Sequence, residues 1–232
     1  MTVCVVTFPG SNCDRDCTNG VLAVGGVAVA AFHKDTALPD GTSAVILPGG
    51  FSYGDYLRTG AMAARSPIMQ AVRRFADAGG PVLGICNGFQ ILCEAGVLPG
   101  ALLRNREGRF VCEDVDLDVV GDSPLLDEAP RDEPLSLPVA HGEGNYTADA
   151  NTLAMLERER RVALRYVDVD GAKKALVNGS TNGIAGVIGG PKRNVLGMMP
   201  HPERRAVAFL GGDDGALILK GLLKASQGRR AA

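Results

Sequence analysis

Short apolar runs alternate with longer stretches of helical spacing along the first half of the chain. Four β-branched runs predict strands at residues 3–7, 27–32, 44–47 and 82–85. Helical spacing lies between them in two places: from Asn12 or Asp14 to about Val24, and over residues 66–78. The run at 82–85 is continuously apolar, which is typical of a strand buried on both faces of a parallel sheet. This β-α-β alternation predicts an α/β fold with helices on both sides of the sheet.

The second half has a different pattern, because its apolar runs follow one another too closely for crossover helices. The predicted strands are residues 111–120, 135–140, 162–169, 184–188 and 195–198. We expect these runs to form antiparallel additions to the sheet. Residues 122–134 predict an exposed loop with one helical turn, and residues 211–225 a last helix before a frayed end. The fold class expected is therefore α/β, with an open, mixed, mostly parallel sheet flanked by helices.

Composition narrows the class of protein. The chain has 232 residues, of which 46% are hydrophobic, and this favours one globular domain over residues 1–232. A net charge of −2 argues against a nucleic-acid partner. No apolar run approaches the roughly 20 residues of a membrane helix, and no basic signal-peptide region opens the chain. The expected location is the cytoplasm, with six scattered cysteines in the reduced state.

Most of the cysteines predict packing rather than chemistry. Cys13 and Cys17 are four residues apart, but no histidine or second cysteine pair is near them in the sequence, so we expect no metal site. Cys4, Cys93 and Cys112 lie in apolar surroundings, where a thiol packs as a small hydrophobic group.

Cys86 is the exception, because two glycines bracket it at the end of an apolar run. The stretch Gly84-Ile85-Cys86-Asn87-Gly88 has the spacing of a nucleophile elbow, where small residues allow a sharp strand-to-helix turn. A thiol placed there projects beyond the carboxyl end of the sheet, and the helix N-terminus favours its thiolate. Taken alone, the same pattern also fits a buried structural cysteine beside two turn glycines.

A thiol nucleophile needs a base, and the chain has three histidines. His33 follows a strand and is expected to be a surface or loop residue. His141 lies in a glycine-rich turn after another strand. His201 lies between two prolines, and Glu203 two residues later is placed to orient the imidazole. Cys86, His201 and Glu203 are therefore the candidate catalytic residues.

Two backbone amides are candidates for an oxyanion hole. The amide of Asn87 opens the helix after Cys86, and Gly49 and Gly50 end a neighbouring strand in a Pro-Gly-Gly turn whose bare backbone permits close approach of an N–H to a substrate. Gln90 lies one helical turn after Cys86 and carries both a donor and an acceptor, which suits substrate binding.

The combination resembles a family. The motifs PGG at 48–50, GICNGFQ at 84–90 and PHPE at 200–203 look like those of class I glutamine amidotransferases, which use a Cys-His-Glu triad. Three further stretches resemble the members that serve purine biosynthesis: FPGSNCD at 8–14, GGFSYGDYLR at 49–58 and HGEG at 141–144. The resemblance covers nearly the whole chain.

The resemblance implies an activity and a set of roles. Glutamine would be hydrolysed through a thioester on Cys86, and Gly50 and Asn87 would hold the oxyanion. Glutamine would be bound by Gln90, Phe51, and the backbone around His141 and Gly142.

Partners and cofactors follow from the same resemblance. The ammonia would pass to a separate synthetase subunit, with a small accessory subunit completing the complex. No cofactor is expected in this chain, which lacks a G-x-x-x-x-G-K-[ST] phosphate loop. ATP and magnesium are expected on the synthetase. A docking or gating role is a hypothesis for Tyr53, Asp55 and Arg58, with an ordinary aromatic surface loop as the alternative.

Three other functions stay open at this point. The chain could serve a different synthetase, or it could be a non-catalytic regulatory subunit with the same fold. It could also be a free-standing cysteine hydrolase for peptides or γ-glutamyl compounds, which would work without a partner.

Overall fold

A parallel sheet forms the first half of the protein. The computed structural model describes residues 1–167 and 178–227. The elements of this half are β1 (Thr2–Thr7), α1 (Asp14–Ala23), β2 (Val27–Phe32), β3 (Thr42–Leu47), α2 (Ile68–Asp77), β4 (Val82–Ile85) and α3 (Asn87–Glu94). The strands pair in parallel in the order β2-β1-β3-β4. As the apolar run predicts, every residue of β4 is buried.

The second half adds antiparallel strands and closes the sheet. Its elements are β5 (Ala101–Leu103), β6 (Val111–Val119), β7 (Leu135–His141), β8 (Asn145–Thr147), α4 (Ala150–Arg158), β9 (Val162–Tyr166), β10 (Ile184–Gly189), β11 (Val195–Met198) and α5 (Asp214–Gln227). The full sheet has nine strands in the order β2-β1-β3-β4-β11-β10-β9-β6-β7, and β5 pairs antiparallel with β8 in a separate two-stranded sheet. The predicted fold class is confirmed.

The position of β11 determines where the chemistry lies. It pairs in parallel with β4 but antiparallel with β10, so it joins the two halves of the sheet. The carboxyl ends of β3, β4 and β11 therefore meet at one edge, which is where open α/β sheets bind ligands. Gly49-Gly50, Cys86 and His201 follow these three strands directly.

Helices cover the sheet and complete its core. α1 and α5 pack against each other and against the strands, while α3 packs on β3, β4 and β11. A continuous cluster of buried side chains runs through β1, β3, β4, β10 and β11. Over the part of the chain that the structure describes, no helix has both the length and the apolar character needed to cross a bilayer.

Several local expectations need correction. Helix α1 begins after Cys13, and no side chain caps it, so neither Asn12 nor Asp14 is the cap. Cys112 is exposed on β6, whereas Cys4 and Cys93 are buried as expected. Leu125, in the loop predicted as exposed, is fully buried.

The ends of some elements also differ from the prediction. α5 begins at Asp214 rather than at residue 211. α4 was not predicted, although the Asp149 carboxylate caps it by accepting from the Asn151 and Thr152 amides. The predicted strand 162–169 ends at Tyr166, and its last two residues lie outside the described part of the chain. The predicted frayed end lies outside it from residue 228 onward.

The contact between α3 and β3 predicts a strong effect of Gly88→Ala. A Cβ at Gly88 would lie 1.9 Å from the Leu47 carbonyl oxygen, so the helix would have to move away from the sheet. We expect a loss of about 3 kcal/mol in the free energy of unfolding, measured by urea titration. Gly142→Ala is the control, because its Cβ would have no neighbour closer than 3.8 Å. Equal urea midpoints for the two variants would contradict this account.

Candidate active site

Cys86 occupies the sharp turn between β4 and α3. Its backbone has φ 50° and ψ −104°, a conformation that costs free energy for a residue with a Cβ. The Cys86 amide donates to the Met198 carbonyl on β11 at 2.7 Å, which anchors the turn to the neighbouring strand. The side chain is 5% exposed and lines a cavity at the sheet edge. This is the placement predicted for a nucleophile elbow.

The bracketing glycines are required by close packing. A Cβ at Gly84 would lie 2.5 Å from Leu92 and 2.8 Å from the backbone of Gly88. Gly88 has no room either, because of the Leu47 carbonyl described above. Bare backbone at both positions lets α3 start immediately after the cysteine. The Asn87 amide is the first of that helix, where backbone N–H groups have no partner within the helix.

His201 and Glu203 form a buried pair after β11. The His201 Nδ1 lies 2.6 Å from the Glu203 Oε1, and the two side chains are 1% and 0% exposed. The His201 amide donates to the Pro138 carbonyl on β7, which fixes the start of this loop. The His201 Nε2 is buried and has no hydrogen-bond partner among the described residues. It is therefore free to exchange a proton with a reacting group.

The charge on His201 reflects opposing effects. Burial disfavours the imidazolium, but Glu203, Cys86 and Cys13 together raise the pKa of His201 well above its usual value. Among the groups that raise the pKa of His201, Glu203 has the largest effect, because its carboxylate is in direct contact with the ring. An imidazolium next to a thiolate is the state that a cysteine nucleophile requires.

A second thiol beside His201 was not anticipated from the sequence. The Cys13 sulfur, a ring nitrogen of His201 and a carboxylate oxygen of Glu203 all lie within 4.8 Å of one another. The Arg204 guanidinium donates to the Cys13 sulfur at 3.2 Å. Sequence reasoning found no histidine near Cys13 because the two are far apart along the chain. The arginine places a positive charge at the cluster, which disfavours a metal cation there.

Geometry separates the roles of the two thiols. Cys13 is fully buried, directly precedes α1 and is not among the residues that line the cavity. Cys86 lines that cavity and stands on the strained turn. Cys86 is therefore the thiol that a substrate can reach.

Gly50 lines the same cavity as Cys86. Its φ is +142°, and a Cβ would lie 2.8 Å from both the Asn12 nitrogen and the Ser11 Cα, so only glycine fits. The following amide, that of Phe51, donates to the Gly10 carbonyl at 3.0 Å. Within the described residues, the amides of Gly50 and Asn87 donate to no backbone carbonyl. Both are thus available to a substrate oxygen.

A chain of hydrogen bonds ties the loops around the cavity together. The Ser52 amide donates to the Asn87 side-chain oxygen, and the Asn87 side chain donates to the Gln90 side-chain oxygen at 3.0 Å. Gln90 in turn donates to the Glu143 carbonyl at 2.6 Å. The predicted substrate ligand Gln90 therefore also positions the 141–144 turn.

His141 is held in that turn by Asn105, a residue that the sequence did not single out. The Asn105 side-chain nitrogen donates to the His141 and Arg109 carbonyls, so its oxygen is the acceptor for the His141 Nδ1–H at 3.1 Å. Burial, with a further contribution from His201, lowers the pKa of His141 to about 4. At neutral pH the ring is uncharged, and its Nε2 has no partner in the described chain.

The cavity is small and carries charges of both signs. Its volume is about 270 Å³. Carboxylates of Asp55 and Glu143 and guanidinium groups of Arg104 and Arg109 line it. The other lining residues include Gly50, Phe51, Thr59, Cys86, Gln90, Phe110, His141 and Gly142. All four residues predicted to bind substrate are among them.

Asp55 has an unusual environment within this cavity. One of its oxygens is buried without a partner among the described residues. Burial, together with the nearby Glu143, raises the pKa of Asp55 to about 6. Glu143 itself accepts a hydrogen bond from the Thr59 hydroxyl. A positively charged group bound between Asp55 and Glu143 would relieve this repulsion.

The three residues assigned to docking or gating lie in different settings. Tyr53 points inward, and its hydroxyl lies 2.6 Å from the His33 Nδ1. Asp55 faces the cavity. Arg58 is exposed and pairs with both oxygens of Glu94 on α3. Only Arg58 thus presents its side chain to the surface.

Comparison with known proteins identifies relatives over nearly the whole length. A family model described as a CobB/CobQ-like glutamine amidotransferase domain matches residues 1–210. The phosphoribosylformylglycinamidine synthase subunit PurQ of Rhodospirillum rubrum is 52% identical over 228 residues, covering 97% of this chain and 99% of that protein. The PurQ subunit of Rubrobacter xylanophilus is 54% identical over 224 residues, covering 96% and 98%.

Solved structures agree with the sequence matches. A chain in the structure of PurLQS from Thermotoga maritima superposes with a TM-score of 0.83 at 42% identity, covering 96% of this chain and 97% of that one. A glutamine amidotransferase from the same organism superposes with a TM-score of 0.58 at 18% identity, covering 99% of this chain and 97% of that one, which shows the shared fold alone.

The low pKa of His141 predicts a pH dependence of stability. Between pH 6.5 and about 4 the unfolded chain binds a proton at His141 that the folded chain does not, so stability falls as the pH falls. The loss from this group is about 3 kcal/mol over that range. His141→Gln, which keeps a donor for Asn105 but cannot titrate, should lose less stability on acidification. Urea unfolding at pH 7 and pH 4.5 measures this, and parallel losses in both proteins would refute it.

Proposed function

The chain belongs to the CobB/CobQ-like glutamine amidotransferase family, and on that basis we propose that it is the glutaminase subunit of a phosphoribosylformylglycinamidine synthase. Membership confirms the family resemblance drawn from the motifs. In this function the chain hydrolyses glutamine to glutamate and ammonia. The synthetase subunit then uses the ammonia to convert formylglycinamide ribonucleotide to formylglycinamidine ribonucleotide.

One observation carries the chemistry. Cys86 stands on a strained strand-to-helix turn in a cavity that also contains Gly50, at the sheet edge where the buried His201–Glu203 pair lies. A structural cysteine would not need a costly backbone conformation, and it would not face a cavity lined by charged groups.

The first half of the reaction forms a thioester. The Cys86 thiolate attacks the side-chain amide carbon of glutamine, and the carbonyl oxygen takes the negative charge. The amides of Gly50 and Asn87 donate to that oxygen. His201 gives its proton to the amide nitrogen as the carbon–nitrogen bond breaks, so ammonia leaves and a glutamyl thioester remains on Cys86.

The second half releases glutamate. His201, now neutral, takes a proton from water, and the resulting hydroxide attacks the thioester carbon. The same two amides hold the second oxyanion. The carbon–sulfur bond breaks, and the Cys86 thiolate and the His201 imidazolium are regenerated. Glu203 holds the ring through its Nδ1 in both halves, as the third member of a triad does.

The charges of the cavity match the α-amino acid end of glutamine. We assign the α-ammonium to Asp55 and Glu143, whose mutual repulsion it would relieve, and the α-carboxylate to Arg104 and Arg109. Phe51, His141, Gly142 and Gln90 complete the walls around the side chain.

The partner assignment rests on the relatives. The curated relatives are subunits of the synthase, and the Thermotoga maritima structure is that of the PurLQS complex. We assign two partners to this chain, which are the synthetase and a small accessory protein of the complex, with ATP and magnesium bound by the synthetase. The chain itself is assigned no cofactor, and it acts in the cytoplasm, where purine synthesis takes place.

The 50–58 loop is our candidate for coupling the two subunits. It carries the proposed oxyanion donor Gly50 at one end and the exposed Arg58 at the other, beside Leu57, which is 92% exposed. A partner that binds Arg58 and Leu57 would act on the geometry of the oxyanion hole. Ammonia would then be released chiefly when the synthetase is present.

Ammonia release from glutamine tests the function and the nucleophile together. We expect the synthetase to stimulate the reaction strongly, and we expect no activity for Cys86→Ala. Cys13→Ser, which changes the other thiol beside His201, should retain measurable activity, and Cys112→Ala should behave as the unmodified protein because Cys112 is exposed on β6.

The same assay distinguishes the alternatives. Activity that does not respond to the synthetase would indicate a free-standing hydrolase. No activity under any condition, with a folded protein, would indicate a regulatory subunit. Loss of activity in Cys13→Ser but not in Cys86→Ala would show that the nucleophile is misassigned.

The coupling role predicts an effect of Arg58→Ala. The ratio of glutaminase rates with and without the synthetase should fall several-fold, because the surface end of the 50–58 loop loses its contact. Arg160→Ala is the control, since Arg160 also forms an exposed ion pair, with Asp122, but at a different part of the surface. If Arg58→Ala leaves the ratio as high as Arg160→Ala does, Arg58 has no role in coupling.

A further inference from the structure

The backbone of the 50–58 loop is held in a strained conformation. Tyr53, Asp55 and Leu57 have φ values of 56°, 54° and 71°, and Gly54 between them has 69°. Glycine adopts this left-handed region without cost, but other residues rarely do. Three non-glycine residues in this region within a stretch of five are unusual. Such a loop keeps its shape only if contacts outside it hold it in place.

Backbone contacts hold the first part of the loop. The Phe51 amide donates to the Gly10 carbonyl, and the Tyr53 amide donates to the Pro9 carbonyl at 2.6 Å. Beyond Tyr53, Tyr56 is 75% exposed and Leu57 is 92% exposed, and the Arg58 side chain holds only the far end of the loop, through Glu94. Tyr53 is therefore the side chain placed to anchor the start of the strained part.

Tyr53 has the contacts that such an anchor needs. Its hydroxyl lies 2.6 Å from the His33 Nδ1 and 3.1 Å from the Ser66 Oγ. Its ring packs edge-on against the His33 ring at 5.5 Å. His33 and Ser66 are 7% and 5% exposed, and they lie after β2 and before α2, so the hydroxyl joins the loop to two separate parts of the fold.

We propose that Tyr53, His33 and Ser66, here called the Tyr53 cluster, are positioning residues that hold the 50–58 loop in its strained form and so fix the direction of the Gly50 amide. The proposal rests on the assignment of Gly50 as an oxyanion donor. It gives His33, which touches no residue of the triad in the described contacts, a part in the reaction through the loop.

The path from the cluster to Gly50 is short. Gly49 is fixed on one side, because its carbonyl accepts from the Cys13 amide. Tyr53 is fixed on the other side by the cluster. Gly50 has no side chain to hold it, so the orientation of its amide depends on the contacts of its neighbours. These are the Cys13–Gly49 bond, the Phe51–Gly10 bond and the Tyr53 cluster. If Tyr53 is released, Tyr53, Asp55 and Leu57 can relax toward ordinary φ values, and this movement would rotate the Gly50 N–H away from the oxyanion.

Tyr53→Phe tests the proposal, because it removes the hydroxyl and keeps the ring. Tyr56→Phe is the matched control, with the same change in the same loop at an exposed side chain. Amide hydrogen exchange of residues 50–58 measures the hold on the loop and does not depend on the assigned activity. Glutaminase kinetics of the complex with its synthetase measure the effect on Gly50.

We expect faster exchange in the loop for Tyr53→Phe, and a kcat about 10- to 100-fold lower with KM within about 2-fold, since an oxyanion donor acts in the transition state. Rates are divided by the concentration of chains whose Cys86 reacts with an electrophilic glutamine analogue. Unfolded protein is thereby excluded from the rate. Tyr56→Phe should match the unmodified protein in both measurements. His33→Leu combined with Tyr53→Phe should be no slower than Tyr53→Phe alone, because the Tyr53–His33 hydrogen bond that His33→Leu removes is already absent in Tyr53→Phe.

Each other outcome has a definite meaning. Unchanged exchange in Tyr53→Phe overturns the cluster as the anchor of the loop. Faster exchange with unchanged kcat overturns its role in placing Gly50. If the unmodified complex has no glutaminase activity, the proposed function fails, and the exchange measurement still decides whether the cluster holds the loop.

Discussion

The close approach of α3 to the sheet is the constraint on which the site depends. Only Cys86 separates the end of β4 from the start of α3. The Gly88 position lies directly against the Leu47 carbonyl of β3. This leaves Cys86 no ordinary backbone conformation, so the thiol is pushed out of the sheet at the edge where β3, β4 and β11 end. The Asn87 amide, the cavity and the neighbouring loops are arranged around that projection. The strain at one cysteine is offset by the packing of a whole helix.

The remaining parts of the site show how a buried group of charges is kept balanced. Glu203 is a carboxylate without exposure, and burial of an unpaired charge is costly. It lies against the His201 ring, with Cys13 and Arg204 beside them. His141, farther along the cavity wall, is kept neutral by its own burial. Their environments thus suit the His201 imidazole to be protonated and positively charged, and the His141 imidazole to remain neutral.

Much of this could be read from the sequence, and the limits have physical reasons. The strands were predictable because β4 and β11 are buried on both faces, so their residues are apolar throughout. The elbow was predictable because only glycine fits at residues 84 and 88. The neighbours of Cys13 and of His33 were not predictable, because each residue contacts a partner that is distant in sequence and is brought near by the fold. The exposed Cys112 was misplaced because the residues of β6 alternate between core and solvent, and an apolar neighbourhood in sequence does not tell which side a residue faces.

The central position of β11 has a consequence for how the protein is made. Ribosomes release the chain from its N-terminus, so β1 to β4 emerge long before the strand that must lie beside β4. Until residues 195–198 appear, β4 is an unpaired apolar edge strand of the nascent sheet, and another chain could pair with it. A product truncated before β11 lacks the strand that pairs with β4 and also lacks His201, so it would have neither the complete sheet nor the proposed base.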